Sequence, residues 1–138
     1  MSVSAVDVIG AWRLQKWALI YDDGRPDEYP LGADAEGMIM YTAGGEMSAT
    51  LMRKKRSPAA PATNAEKARE YDDAFAYAGR YEVRDGAVFH SIELATNPAI
   101  IGVTTSREIT LNGDRLSLVG GDFSAGTGRR HVIEWRRA

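Results

Sequence analysis

Alternation of apolar and polar residues with a period of two runs through most of this chain and gives way to helical spacing in one long stretch. From Ile9 to Tyr21 the sequence is rich in Trp, Leu and Ile, contains no Pro and stops at Asp22-Asp23-Gly24, which predicts one long strand. Both of its alternating sets are largely apolar: Trp12, Leu14, Ala18 and Ile20 on one, Trp17, Leu19 and Tyr21 on the other. Covering both sets takes the helix or a second subunit, so a homodimer is one expected arrangement. Gly37 to Thr42 and Glu46 to Met52 read as two strands joined by the hairpin Ala43-Gly44-Gly45. Ahead of the first strand, Ser4-Ala5-Val6-Asp7 has the capping-box pattern of a short helical turn.

The helical stretch follows an Ala/Pro-rich loop. Asn64 is its expected N-cap, and Ala68, Tyr71, Phe75 and Ala78 fall at helical spacing before Gly79. Period two then returns: Tyr81 and Val83 alternate with charged neighbours, Asp85-Gly86 turns the chain, and Val88, His90, Ile92 and Leu94 continue on the return strand up to Asn97-Pro98. Gly102 to Leu111 and Leu116 to Val119 form another hairpin, a glycine-rich loop spans Gly120 to Gly128, and the last strand runs from about Arg129 to Arg136. The sum is one domain over residues 1–138, mainly β, with about eight antiparallel strands and one α-helix. Eight such strands closed on themselves make a barrel wide enough for side chains or one small ligand.

Composition narrows the function classes. The chain has 138 residues, 44% hydrophobic and 26% charged, an ordinary globular balance. A formal net charge of −2 lacks the basic excess that phosphate neutralisation demands, which argues against a nucleic-acid partner. There is no Cys, so thiolate catalysis, thiolate metal sites and disulfides are excluded. No apolar run approaches the ~20 residues of a membrane helix, and no basic start precedes an apolar run, so the expected location is cytoplasmic. Arg53-Lys54-Lys55-Arg56 reads as a solvated loop.

Hairpin registers supply the sharpest chemical clue. A two-residue loop at Asp85-Gly86 sets Val83 opposite Val88 and hence Tyr81 opposite His90, on a face shared with Ile92 and Leu94. A loop at Gly113-Asp114 pairs Leu111 with Leu116 and Ile109 with Leu118, which leaves Arg107 on the same interior face. A phenol, an imidazole and a guanidinium in an apolar interior are costly unless they bond one another, water or a ligand. Tyr81, His90 and Arg107 are therefore the candidate catalytic or anchoring groups, with Val83, Val88, Ile92 and Ile109 as ligand contacts. Tyr41 joins them if its alternating set faces inward. The competing reading is a satisfied Tyr-His-Arg network that only fixes strand register. His90 and His131 lack metal-ligand spacing, and the late glycines form neither a Gly-x-Gly-x-x-Gly nor a phosphate-loop pattern, so neither metal nor cofactor is expected.

The ordered series Gly10-x-Trp12, Gly37-Met38-Ile39-Met40-Tyr41-Thr42, Gly45-Glu46-Met47-Ser48, Tyr77-Ala78-Gly79-Arg80-Tyr81-Glu82-Val83, His90-Ser91-Ile92-Glu93, Asn97-Pro98 and Gly113-Asp114-Arg115-Leu116 resembles the bacterial and fungal lipocalin-like domain family over nearly the whole chain. The resemblance implies an eight-stranded lipocalin-like barrel with a helix on it, and a late Arg such as Arg136 covering Trp12 at the barrel base. Function stays open between three expectations. One is a carrier of a small hydrophobic or aromatic molecule. Another is a cofactor-independent isomerase, cyclase or lyase using interior His, Tyr and Arg. The last is a ligand-free homodimeric module.

Overall fold

The computed structural model describes residues 2–56, 59–121 and 128–138. Eight antiparallel strands, each paired with its neighbours in sequence, close into a barrel: β1 (Gly10–Tyr21), β2 (Glu36–Tyr41), β3 (Glu46–Met52), β4 (Ala74–Arg84), β5 (Ala87–Ala95), β6 (Thr104–Asn112), β7 (Arg115–Gly121) and β8 (Arg129–Arg137). A short helix, α1 (Ala5–Val8), precedes β1, and α2 (Asn64–Asp72) lies between β3 and β4. None of the described helices is long and apolar enough to cross a membrane. The expected glycine-rich loop is shorter at its start, because β7 continues through Gly120 and Gly121; its residues 122–127 lie outside the described chain.

The turns carry out the expected registers. Asp85 and Gly86 both adopt positive φ (53° and 75°), the requirement of a type I′ hairpin, and Val83 pairs with Val88 and Tyr81 with His90. Gly113 takes positive φ at the next hairpin, and Leu111 pairs with Leu116 and Ile109 with Leu118. In this up-and-down topology all three short hairpins and the end of β8 lie at one end, the base. The long connections and α2 lie at the other.

Two bulges decide which side chains share the interior. Between Leu14 and Lys16 the β1–β8 register shifts by one residue. Trp12 and Leu14 face inward before the shift and Trp17 after it, an odd spacing that a regular strand forbids. The second apolar set of β1 is thereby explained inside a single barrel. On β5 a shift between Ile92 and Leu94 turns Leu94 outward, where it is 69% exposed, instead of beside Ile92 as the simple alternation expected. At this shift the β4 backbone presses on β5 so closely that a Cβ on Gly79 would lie 1.9 Å from the Ser91 carbonyl oxygen. Only glycine fits there.

The helix is shorter than its pattern suggests. Thr63, not Asn64, is the N-cap and accepts from the Glu66 amide, and the helix stops at Asp72. Phe75 and Ala78, expected on its face, belong to β4, where Met52 to Met47 pair with Ala74 to Gly79. Sheet closure wins here, because β4 must reach the full height of the barrel to bond both β3 and β5. No residue of α2 is buried, so it has no apolar face to dock. It is tied instead at its C-terminal end by Arg56 to Glu70 (2.7 Å), and just beyond it by Arg53 to Asp73 (2.8 Å).

At the base, Trp12 is fully buried and donates from Nε1 to the Val8 carbonyl at 2.9 Å. The arginine over its ring is Arg137, with Cζ 4.1 Å from the centroid and bonds to the carbonyls of Ile9 and Asp7. Arg136, suggested by the resemblance, points the other way and pairs with Asp114 at the surface. Adjacent residues on a strand face opposite sides, so only one of the two can cap the core. Trp12→Ala is expected to cost about 3–5 kcal/mol in chemical denaturation. Arg137→Met should cost about 1–3 kcal/mol by removing the cation–π contact and two carbonyl bonds. Arg136→Met should cost about 1 kcal/mol or less; equal losses for the two arginines would contradict this arrangement of the base.

Candidate functional site

The barrel is filled in its lower half and hollow above. Trp12, Leu14, Ile39, Leu116 and Trp135 pack the base, and above them a cavity of about 310 Å³ opens toward α2. One side of this cavity is aromatic. The bulge delivers Trp17, and the alternation of β4 delivers Phe75 and Tyr77; the Trp17 and Phe75 rings meet at 5.4 Å and 57°, and Phe75 and Tyr77 stack at 5.7 Å and 10°. Ile92, Ile100 and Ile133 complete the apolar surface, while Tyr71 and Asp72 from the end of α2 stand at the mouth.

Polar groups gather on the β6 and β8 side. Thr105 and Arg107 alternate inward along β6, and His131 comes from β8. Arg107 is only 8% exposed and donates from Nη1 to the Gly121 carbonyl at 2.7 Å. Its stem runs across Gly120, where a Cβ would come within 2.5 Å of Nη1 and of the Ser106 carbonyl oxygen. The glycine is what allows this guanidinium to lie along the wall. Trp17 donates from Nε1 to His131 Nδ1 at 3.0 Å with the two rings stacked at 19°, so both side chains are fixed by one bond, and the neutral imidazole carries its proton on Nε2.

His90 lies deeper and is 2% exposed. Its cross-strand neighbour is Tyr81, but its hydrogen bond goes to the Tyr41 hydroxyl, 2.7 Å from Nε2. Tyr81 instead donates to the Thr42 carbonyl at 2.7 Å and sets its ring edge-on to Tyr41 at 4.7 Å. Burial, aided by the charge of Arg107, holds the His90 imidazole down to about 3. Burial likewise pushes the Tyr41 phenol well up, with Tyr77 and Tyr81 adding to the effect. Tyr77 is pushed up to about 12 by burial, against a smaller opposing pull from Arg107. The Tyr41–His90 pair is therefore neutral across the physiological range.

Of the residues expected from sequence, Arg107 and Ile92 line the cavity. His90 and Tyr81 are not among the described residues that do, and Tyr77 touches both the cavity and, at 6.0 Å between ring centres, His90. Tyr41, Val88 and Ile109 belong to the packed core, with Val83 against it. Sequence reasoning missed Trp17, Phe75, Tyr77, Thr105, His131 and Ile133. The alternation Phe75-x-Tyr77 was a legible signal for two of them. Among the described residues no cluster of His, Asp and Glu is arranged to hold a metal ion.

Comparison with known proteins bears on the barrel rather than its contents. A lipocalin-like protein from Bacteroides uniformis ATCC 8492 superposes with a TM-score of 0.51 at 14% identity, covering 96% of this chain and 99% of that one, which is a likeness of fold. No curated protein matches the sequence. The lipocalin-like domain family matches over residues 9–138, from the strand that carries Trp12 to the one that caps it with Arg137. The chain belongs to the lipocalin-like domain family.

Proposed function

We propose that the barrel binds a small, planar aromatic or hydrophobic molecule in its upper half, with a polar end turned toward Arg107 and Thr105. The observation that carries this reading is a cavity of about 310 Å³ whose lining joins the three aromatic side chains of Trp17, Phe75 and Tyr77 to a guanidinium, a hydroxyl and an imidazole, the last stacked on Trp17. That volume is at the lower limit of organic-ligand pockets, which run from about 300 Å³, and suits one or two fused rings. Apolar burial would supply most of the affinity, and the polar side the orientation. Binding is favoured over proton transfer by His90, since that imidazole is neutral, already bonded to Tyr41 and set behind Tyr77.

Two measurements follow. In fluorescence titrations, 2-naphthoate and 2-naphthol are expected to bind and to quench Trp17, and Trp17→Ala should weaken both. Arg107→Met should weaken the carboxylate by about 10- to 100-fold, the worth of a charge-assisted hydrogen bond, and the neutral naphthol by about threefold or less. Equal losses for both probes would remove Arg107 from the polar end, and no binding of either would remove the proposed cavity function.

His90 is assigned a packing role, and pH tests it. Its folded value near 3 lies below the unfolded value near 6.5, so below pH 6.5 the unfolded chain binds a proton that the folded barrel refuses. Stability should fall as pH drops through this window and level off below about 3. Relative to His90→Gln, the wild-type chain should lose about 2 kcal/mol more between pH 7.5 and pH 5. Parallel pH profiles for the two would show that His90 is not held neutral.

A further inference from the structure

We infer that the Tyr77 hydroxyl is a ligand-binding donor, and that with Arg107 it selects an aromatic molecule whose polar end is an oxyanion, a carboxylate or a phenolate. The inference rests on the cavity function proposed above and names the ligand class that this cavity takes. Polar groups inside a folded protein nearly always have a hydrogen-bond partner, so one that lacks it calls for another explanation. Three tyrosines lie in the core or against it. The Tyr41 hydroxyl meets His90 at 2.7 Å, and the Tyr81 hydroxyl donates to the Thr42 carbonyl at 2.7 Å. Tyr77 lines the cavity, and its hydroxyl has no hydrogen-bond partner among the described residues.

Strand register explains why that hydroxyl is bare. The cross-strand neighbours of Tyr77 are Ala49 on β3 and Ala95 on β5, and neither side chain can bond it. Its ring is held by stacking instead, 5.7 Å from Phe75 and 10° from parallel. Nor is the oxygen sealed in. Among the described residues only Trp135 Nε1 is a side-chain polar atom both closed off and unpartnered, so the Tyr77 oxygen keeps an open side, and the space that its ring borders is the cavity.

The chemistry of the two groups selects the ligand. Burial pushes the Tyr77 phenol up to about 12, so it keeps its proton through the physiological range and can donate. Arg107, from β6, lines the same cavity, and its charge acts on that phenol. This role needs only the charge, whatever else the guanidinium bonds. A phenol O–H beside a fixed cation favours an acceptor that carries negative charge, whereas a ligand ammonium would meet a like charge. The Thr105 hydroxyl, on the same lining, can rotate to give a further bond. Asp72, the one acidic residue of the described lining, is exposed at the mouth, where water and salt screen it.

Tyr77→Phe removes the oxygen and keeps the ring. The variant should unfold no more easily than the wild type in chemical denaturation, because no bond within the protein is lost. In fluorescence titrations 2-naphthoate should bind it about 10- to 100-fold more weakly, the worth of a hydrogen bond to a charged group, and naphthalene should change by about twofold or less. The colour of 4-nitrophenol gives a second readout. An apolar cavity alone favours the neutral phenol, whereas two donors and a guanidinium favour its anion. Bound to the wild type, the dye should absorb as the anion at a pH where the free dye is largely neutral, and Tyr77→Phe and Arg107→Met should each shift it back. Naphthoate held as tightly by Tyr77→Phe as by the wild type, or a bound dye that stays neutral, overturns the inference and leaves the cavity function standing. Equal losses of naphthoate and naphthalene assign the effect to ring packing and overturn it too. If the wild type binds none of these probes, the cavity function and this inference fall together.

Discussion

Everything in this barrel depends on the seam between β1 and β8. The seven other strand pairings join neighbours in sequence, and this one converts an open sheet into a closed one, removing both edges together. It also fixes the interior. The one-residue shift after Leu14 lets a single strand send Trp12 and Leu14 into the base and Trp17 into the cavity wall, while β8 answers with Trp135 below and Ile133 and His131 above. Without the shift Trp17 would face out, and the bond that holds it to His131 could not form. Filled base and hollow top are thus two consequences of one irregularity.

The same irregularity marks where sequence reasoning reaches its limit. Hairpin turns were legible because positive φ restricts their chemistry: Asp85-Gly86 and Gly113-Asp114 each admit few alternatives, and the pairs they dictate, down to Tyr81 with His90, are present. Bulges leave no such trace. Nothing local in Ile92-Glu93-Leu94 announces that Leu94 leaves the interior, and nothing in Leu14-Gln15-Lys16-Trp17 announces that Trp17 enters it. The helix was overextended for a related reason. Ala68, Tyr71, Phe75 and Ala78 satisfy helical spacing while Phe75-x-Tyr77 satisfies strand spacing, and only the need to bond β3 and β5 decides between them.

The candidate site divides along the same line. Arg107 was legible from the β6 hairpin, whereas its nearest structural requirement, the missing Cβ of Gly120, lies on a different strand and was read as part of a loop. His90 was found, but its partner Tyr41 sits on β2, and no hairpin register connects β2 to β5. Burying an imidazole and a phenol together at 2.7 Å satisfies both and leaves the core neutral. Arg107 then stands as the charged group whose field reaches Tyr77 and His90 from the cavity wall.

The tether of α2 sets how the mouth of the barrel behaves in time. With none of its residues buried and its attachments made by partly exposed ion pairs, the helix contributes little to the cooperative unit formed by the eight strands. Its backbone hydrogen bonds therefore open by a local route whose free energy is far below that of global unfolding, and its amides exchange with solvent long before those of β1 or β8.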